Sequence, residues 1–298
     1  MISILLAFAL LLSMAACGSA PTASSEDNIS SNVKVQPKET EPKQTEPPIV
    51  FQETVIVDNE NVTFKITAIE NDSIWGYTLK VFLENKTEKD LMFTVNNVSV
   101  NGYMCDPFWA TTVTAGMKSN EKIQFSSDSF ELNGINAVTD IEFKLDIYDS
   151  NDWMTDHLVS EVFSIYPMGE DAVQVYAREP QLSDIVLFDN EECTMIITSF
   201  DPDDDWGYAV NVYLLNKTDK NLMFSVQDAA INGFMCDPFW AHTVAAGKAS
   251  NTDITWFTST LEEAGISEVE NLTLPIRVYD EDDWMAEDIM NETFTVTP

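Results

Sequence analysis

The stretch Asn101-Gly-Tyr-Met-Cys-Asp-Pro-Phe-Trp-Ala110 returns as Asn232-Gly-Phe-Met-Cys-Asp-Pro-Phe-Trp-Ala241, and Tyr103 against Phe234 is the sole difference. The spacing of 131 residues carries outward without a gap. Glu53–Pro167 lies over Asp184–Pro298 through Trp-Gly-Tyr (75–77 and 206–208), Asn-Lys-Thr (85–87 and 216–218) and Asp-Trp-Met (152–154 and 283–285). The chain therefore holds two copies of one domain. Each has 115 residues, long enough for a core of its own.

Within a copy the dominant signal has period two. Val62, Phe64, Ile66 and Ala68 alternate with Thr63, Lys65 and Thr67, and Tyr77, Leu79, Val81 and Leu83 repeat the pattern, which predicts half-buried strands. Asn101-Gly102 between Val98-Ser-Val100 and Tyr103-Met104 predicts a hairpin with a type I′ turn, since that turn needs φ > 0 at both central residues. Pro107 cannot donate to a central sheet ladder, so 106–110 should leave the sheet or run along its edge. Ser129–Ile135 and Thr260–Ile266 are the only helix candidates. Seven to nine short strands per copy predict an all-β chain with two tandem antiparallel immunoglobulin-like β-sandwiches, a small closed barrel being the alternative. The boundaries are 51–167 and 184–298, joined by a connector at 168–183.

Aromatics at 11% and hydrophobics at 45% belong to a folding chain, although the net charge is −35. The first copy carries 19 Asp and Glu against 7 Lys, −12, and the second 23 against 4 Lys and Arg, −19. Such a field repels phosphate backbones and anionic lipid, which disfavours nucleic acid and favours cations and basic surfaces. Residues 18–48 hold Ser, Thr, Pro, Glu, Lys, Asn and Gln with no aromatic, the composition of a disordered tether. Ahead of it an apolar run of eleven residues (2–12) is too short to span a bilayer. It reads as the core of a signal peptide over 1–16, for which simple signal-peptidase cleavage near Ala16 is one outcome.

Residues present in both copies are the fairest candidates for chemistry. Position 157 is His against Asp288, and 242 is His against Thr111, so no duplicated site has a histidine base or zinc ligand. Cys105 and Cys236 are equivalent, and Cys193 stands alone on an inward strand face; all three read as buried thiols. Two acidic loops, with Asp201, Asp203 and Asp205 in one and Asp280 and Asp282 in the other, would suit calcium if they converge. No other cofactor is indicated. Trp75, Tyr77, Asp152 and Trp153 match Trp206, Tyr208, Asp283 and Trp284. If the two segments meet at one end of a sandwich, they offer an aromatic platform beside a carboxylate, for a glycan or a basic protein ligand.

Small residues running into Cys17 (Ser13-Met-Ala-Ala-Cys17) resemble the lipobox of bacterial lipoproteins. With the tether and the paired repeats, the chain resembles uncharacterised secreted lipoproteins of Gram-positive bacteria built from immunoglobulin-like repeats. The resemblance implies Cys17 as the lipidated N-terminus, attachment to the outer face of the membrane through lipid alone, and non-enzymatic binding or adhesion with no particular ligand. Two alternatives stand beside it: a structural surface spacer, and a wall-polymer hydrolase using paired carboxylates such as Asp106 or Asp152 with a neighbour.

Overall fold

Alternation along the chain builds the sheets. In the computed structural model, which describes residues 51–72, 76–174 and 177–298, Val62, Phe64 and Ile66 of β2 (Val62–Asp72) are fully buried. Tyr77, Leu79, Val81 and Leu83 of β3 (Gly76–Asn85) are buried likewise. A bulge between Ile66 and Ala68 shifts the register of these two strands, so Ala68, expected on the inward face, is half-buried.

Strands β1 (Thr54–Asp58), β2, β3 and β7 (Lys118–Gln124) form one antiparallel sheet in that spatial order. A second sheet places β6 (Ala110–Val113), β4 (Leu91–Val100), β8 (Ile141–Asp149) and β9 (Val159–Ile165) side by side. One hydrophobic cluster draws Phe64 and Leu83 from the first sheet and Phe93, Leu145 and Ile147 from the second. The two sheets thus face each other in a sandwich-like, all-β arrangement with no closed barrel among the described residues.

The second copy repeats this at +131: β10 (Ile185–Asp189), β11 (Cys193–Asp204), β12 (Gly207–Asn216) and β17 (Ala249–Phe257) against β16 (Trp240–Val244), β13 (Leu222–Val226), β18 (Leu272–Asp280) and β19 (Met290–Val296). Its core is a separate cluster with Phe224, Trp256 and Ile276 fully buried. The Ile66–Ala68 bulge recurs at Ile197–Ser199, and a second one between Val55 and Val57 recurs at Val186–Phe188.

Helices α1 (Ser127–Leu132) and α2 (Thr258–Glu263) start two residues before and end three before the expected spans. In α1 the Ser126 hydroxyl accepts from the Asp128 N–H at 3.2 Å, an N-cap that sets the earlier start. Gly134 at φ +64 and Gly265 at φ +71 stop the turns.

Asn101 and Gly102 have φ of +51 and +83, as the type I′ reading requires, and Val100 pairs with Tyr103 of β5 (Tyr103–Met104). The matching turn at Asn232-Gly233 joins β14 (Ala230–Ile231) to β15 (Phe234–Met235). Asn101 is also a buried polar hub. Its amide donates to Ala137 O at 2.6 Å, and its Oδ1 accepts from the Thr139 N–H and hydroxyl at 2.8 and 2.9 Å.

The repeats meet closely. Tyr103 of β5 pairs in parallel with Ala249 of β17, with Ala249 N–H donating to Gly102 O at 2.9 Å, so one sheet runs through both repeats. Tyr103, Tyr213 and Ala249 form a small apolar cluster at the junction, and Met104 packs on the second core. Lys248 pairs with Glu142 at 3.0 Å, and Asn251 donates to Asn133 at 3.0 Å. From the connector, Arg178 grips Asp184 with two bonds of 2.5 and 2.6 Å and lies 5.3 Å over the Tyr213 ring. The repeats thus share a strand edge and an apolar contact.

Candidate functional site

The Trp-Gly-Tyr segment makes sense residue by residue. A Cβ on Gly207 would sit 2.1 Å from Trp256 O and 2.7 Å from Thr258 N, so only glycine lets β12 begin against the corner where β17 enters α2. Gly76 is jammed in the same way, 2.8 Å from Phe125 O. The residue before this corner is thrown outward: Trp206 is 69% exposed, while its carbonyl accepts from the Thr258 N–H at 2.9 Å. The residue after it turns inward. Tyr208 is 6% and Tyr77 7% exposed.

Neither buried hydroxyl has a hydrogen-bond partner among the described residues. Burial pushes the Tyr208 phenol up to about 12 and raises Tyr77 further still, so both stay protonated and able to donate. A buried hydroxyl without a partner carries a desolvation cost that a ligand group can relieve.

Tyr208 lines a groove of about 680 Å³ at this end of repeat two. Its apolar wall is Phe200, Leu261, Ile266 and Val269, and its rim carries the carboxylates of Asp204, Glu262 and Glu268. Asp204 Oδ1 also accepts from the Trp206 N–H at 2.9 Å, which ties the hairpin tip to the rim. A half-apolar groove of this size with an acidic mouth suits a ligand with an apolar body and a positive group.

The Asp-Trp-Met segments do not join this site. β18 ends at Asp280 beside Leu222, the start of β13, whereas Trp206 precedes the opposite end of β12. Ten residues of β12 separate the two ends by about 30 Å. The single end-face built from both segments is therefore not formed; Tyr208 with Trp206 lies at one end, and Asp283 with Trp284 at the other. Repeat one has the same strand order, with Tyr77 and Asp152–Trp153 at opposite ends; Trp75 lies outside the described residues, as does Cys17. Trp153 and Trp284 are 70% and 64% exposed, so they do not close the sandwich. Trp109 and Trp240, the remaining shared tryptophan pair, are packed against their cores.

The same separation corrects the calcium expectation. Asp201, Asp203 and Asp205 stand at the Tyr208 end, Asp280 and Asp282 at the other, and among the described residues no three His, Cys, Asp or Glu side chains are placed to hold a metal. The carboxylates serve their turns locally: Asp201 accepts from the Asp203 N–H and Asp280 from the Asp282 N–H, both at 3.0 Å. Asp280 also pairs with Lys220 at 2.8 Å, and that bond draws its pKa down. Asp106 and Asp152, each considered for hydrolysis with a neighbour, lie beside opposite ends of β4, since Cys105 N–H bonds Val98 O and Ser150 N–H bonds Asp90 O.

Cys105, Cys193 and Cys236 are buried free thiols. Burial raises all three, Cys193 to about 11, which makes them inert at neutral pH. The groove wall from α2 and the following loop was not legible in advance, because Leu261, Ile266 and Val269 carry no motif. No protein-family model matches this chain, and no curated protein matches it.

Proposed function

We propose that this is a non-enzymatic binding protein held on the outer face of a bacterial membrane by a lipid on Cys17, with two immunoglobulin-like sandwiches displayed on the tether. What supports the fold reading is the strand pairing: β2-β3-β7 faces β6-β4-β8-β9, with β3 beside β7 and β4 beside β8. A crossing of this kind between two sheets is what that class would require. What supports the anchor is the sequence before Cys17 and the aromatic-free tether behind it.

One observation carries the binding reading: the buried, unpartnered Tyr208 hydroxyl on an acid-rimmed groove. The ligand it fits is a basic protein segment that inserts an apolar side chain beside Leu261 and places lysine or arginine near Glu262 and Glu268. A synthetic peptide of alternating Lys and Leu serves as probe. Binding should weaken steeply between low and high salt, and Leu261→Phe, which fills the groove, should abolish it. Equal binding by Leu261→Phe sinks this site. Cys17→Ser should release the protein into the medium, and unchanged membrane fractionation would rule out the anchor.

A spacer role is the second reading, favoured by the sheet that runs through both repeats. It predicts that blocking the groove changes nothing and leaves the reach of the molecule intact.

A further inference from the structure

We propose that the cleft between the repeats binds a neutral oligosaccharide, with Phe108 as its stacking platform and Asp106 among its hydrogen-bonding groups. The starting point is the ten-residue segment that both copies share. Almost every side chain in it has a folding role. Asn101 and Gly102 make the turn, Cys105 and Cys236 are buried, Trp109 packs edge-on to Phe64 at 6.3 Å, and Asp106 Oδ1 accepts from the Phe108 N–H at 2.8 Å.

Phe108 has none. It is 94% exposed at φ +50, and its equivalent Phe239 is 90% exposed at φ +52, with Asp237 Oδ1 accepting its N–H at 2.9 Å. A bulky residue in the left-handed region is strained. Folding gains nothing from a fully exposed ring held there, so the conformation points to contact with something outside the chain.

In repeat one that ring opens onto a cleft of about 580 Å³, whose far wall is repeat two. The lining mixes the polar Gln124, Ser126, Ser129, Thr243 and Asn251 with the apolar Met104, Pro107 and Ala241. Asp106 is its only carboxylate and His242 its only basic group. Burial raises the Asp106 carboxyl. Burial also lowers the His242 imidazole, whose Nε2 lies 2.8 Å from Ser250 Oγ and whose ring stacks on Trp240. A platform for C–H faces ringed by neutral donors and acceptors matches a sugar far better than a cationic peptide.

Phe239 supplies an internal control, because it is as exposed as Phe108 but does not line this cleft. The full chain would be screened on an array of neutral oligosaccharides of hexoses and N-acetylhexosamines, and the strongest binder titrated by calorimetry. Phe108→Ala should weaken it by about tenfold or more, the loss of one aromatic contact. Phe239→Ala should change it by less than about twofold. Phe108→Gly should melt no lower than the parent, since glycine takes positive φ freely. Leu261→Phe should leave sugar binding intact, which separates this site from the Tyr208 groove. No binding anywhere on the array, equal affinity in Phe108→Ala, or destabilisation by Phe108→Gly each overturns the proposal. So does a sugar displaced in parallel by the Lys-Leu peptide.

Discussion

The two repeats share bulges, turns and positive-φ positions, yet the corner beneath Trp-Gly-Tyr is filled differently. In repeat one Tyr77, Phe125 and Phe130 form a ring trio with centroids 5.7 to 6.1 Å apart. In repeat two the same positions hold Tyr208, Trp256 and Leu261. Trp256 is fully buried in the core and donates Nε1–H to Cys236 O at 2.8 Å. Leu261 takes the place of Phe130 and lines the groove beside Tyr208, although Tyr208 and Tyr77 are buried alike. Duplication kept the scaffold while one aromatic-to-aliphatic exchange set the space available to a ligand.

The strongest way to break this comparison is at its base. Trp256→Ala should cost about 3–5 kcal/mol in denaturant unfolding of the full chain, through a large cavity and an orphaned Cys236 carbonyl. A loss below about 1 kcal/mol would show that repeat two does not rest on that ring. The next effect tests the junction. Asn101 is 3% exposed, whereas Asn232, which makes matching bonds to Glu268 O and to the Glu270 and Asn271 N–H groups, is half-buried. Asn101→Ala should therefore cost about 2–3 kcal/mol and Asn232→Ala about 1 kcal/mol. Equal losses would mean that burial of that turn adds nothing.

A reciprocal exchange sharpens the comparison further. Phe130→Leu should cost about 1 kcal/mol and open repeat one to the Lys-Leu peptide, while Leu261→Phe changes stability by less than about 1.5 kcal/mol and closes repeat two. Failure of Phe130→Leu to gain binding would assign the groove's selectivity to its rim. The smallest effect is electrostatic. Burial lowers His242 relative to an unfolded histidine, with Asp253 opposing, so the unfolded chain binds the proton first and stability falls as pH drops below about 6.5. His242→Thr, the residue of repeat one, should flatten that slope; an unchanged slope would place the acid sensitivity elsewhere.

Much of the scaffold is legible in the residues alone. Period-two alternation announces which face of β2 and β3 is buried, because side chains of a strand point alternately to its two sides. Asn-Gly announces the turn because few residues accept φ > 0 twice in succession. Internal repetition announces two copies, since identical segments at one spacing fold alike. Even the outward Trp and inward Tyr of Trp-Gly-Tyr are implied once the glycine is known to be jammed.

Residue order alone therefore specifies local features: strand faces, turns, the break at Pro107, and the acidity of both repeats. Tertiary structure alone decided which distant segments meet. Trp206 and Trp284 carry equivalent signals, but the up-and-down run of β12, β13 and β18 sends them to opposite ends, and the two acidic loops go with them. Charge counts along a chain do not encode direction in space. Phe108 and Phe130 show the same limit from the other side. Both are phenylalanines two residues after an aspartate, yet Phe130 lies against Tyr77 and Phe108 stands in solvent. The difference is a backbone dihedral and an Asp106 hydrogen bond, which only the folded chain reveals.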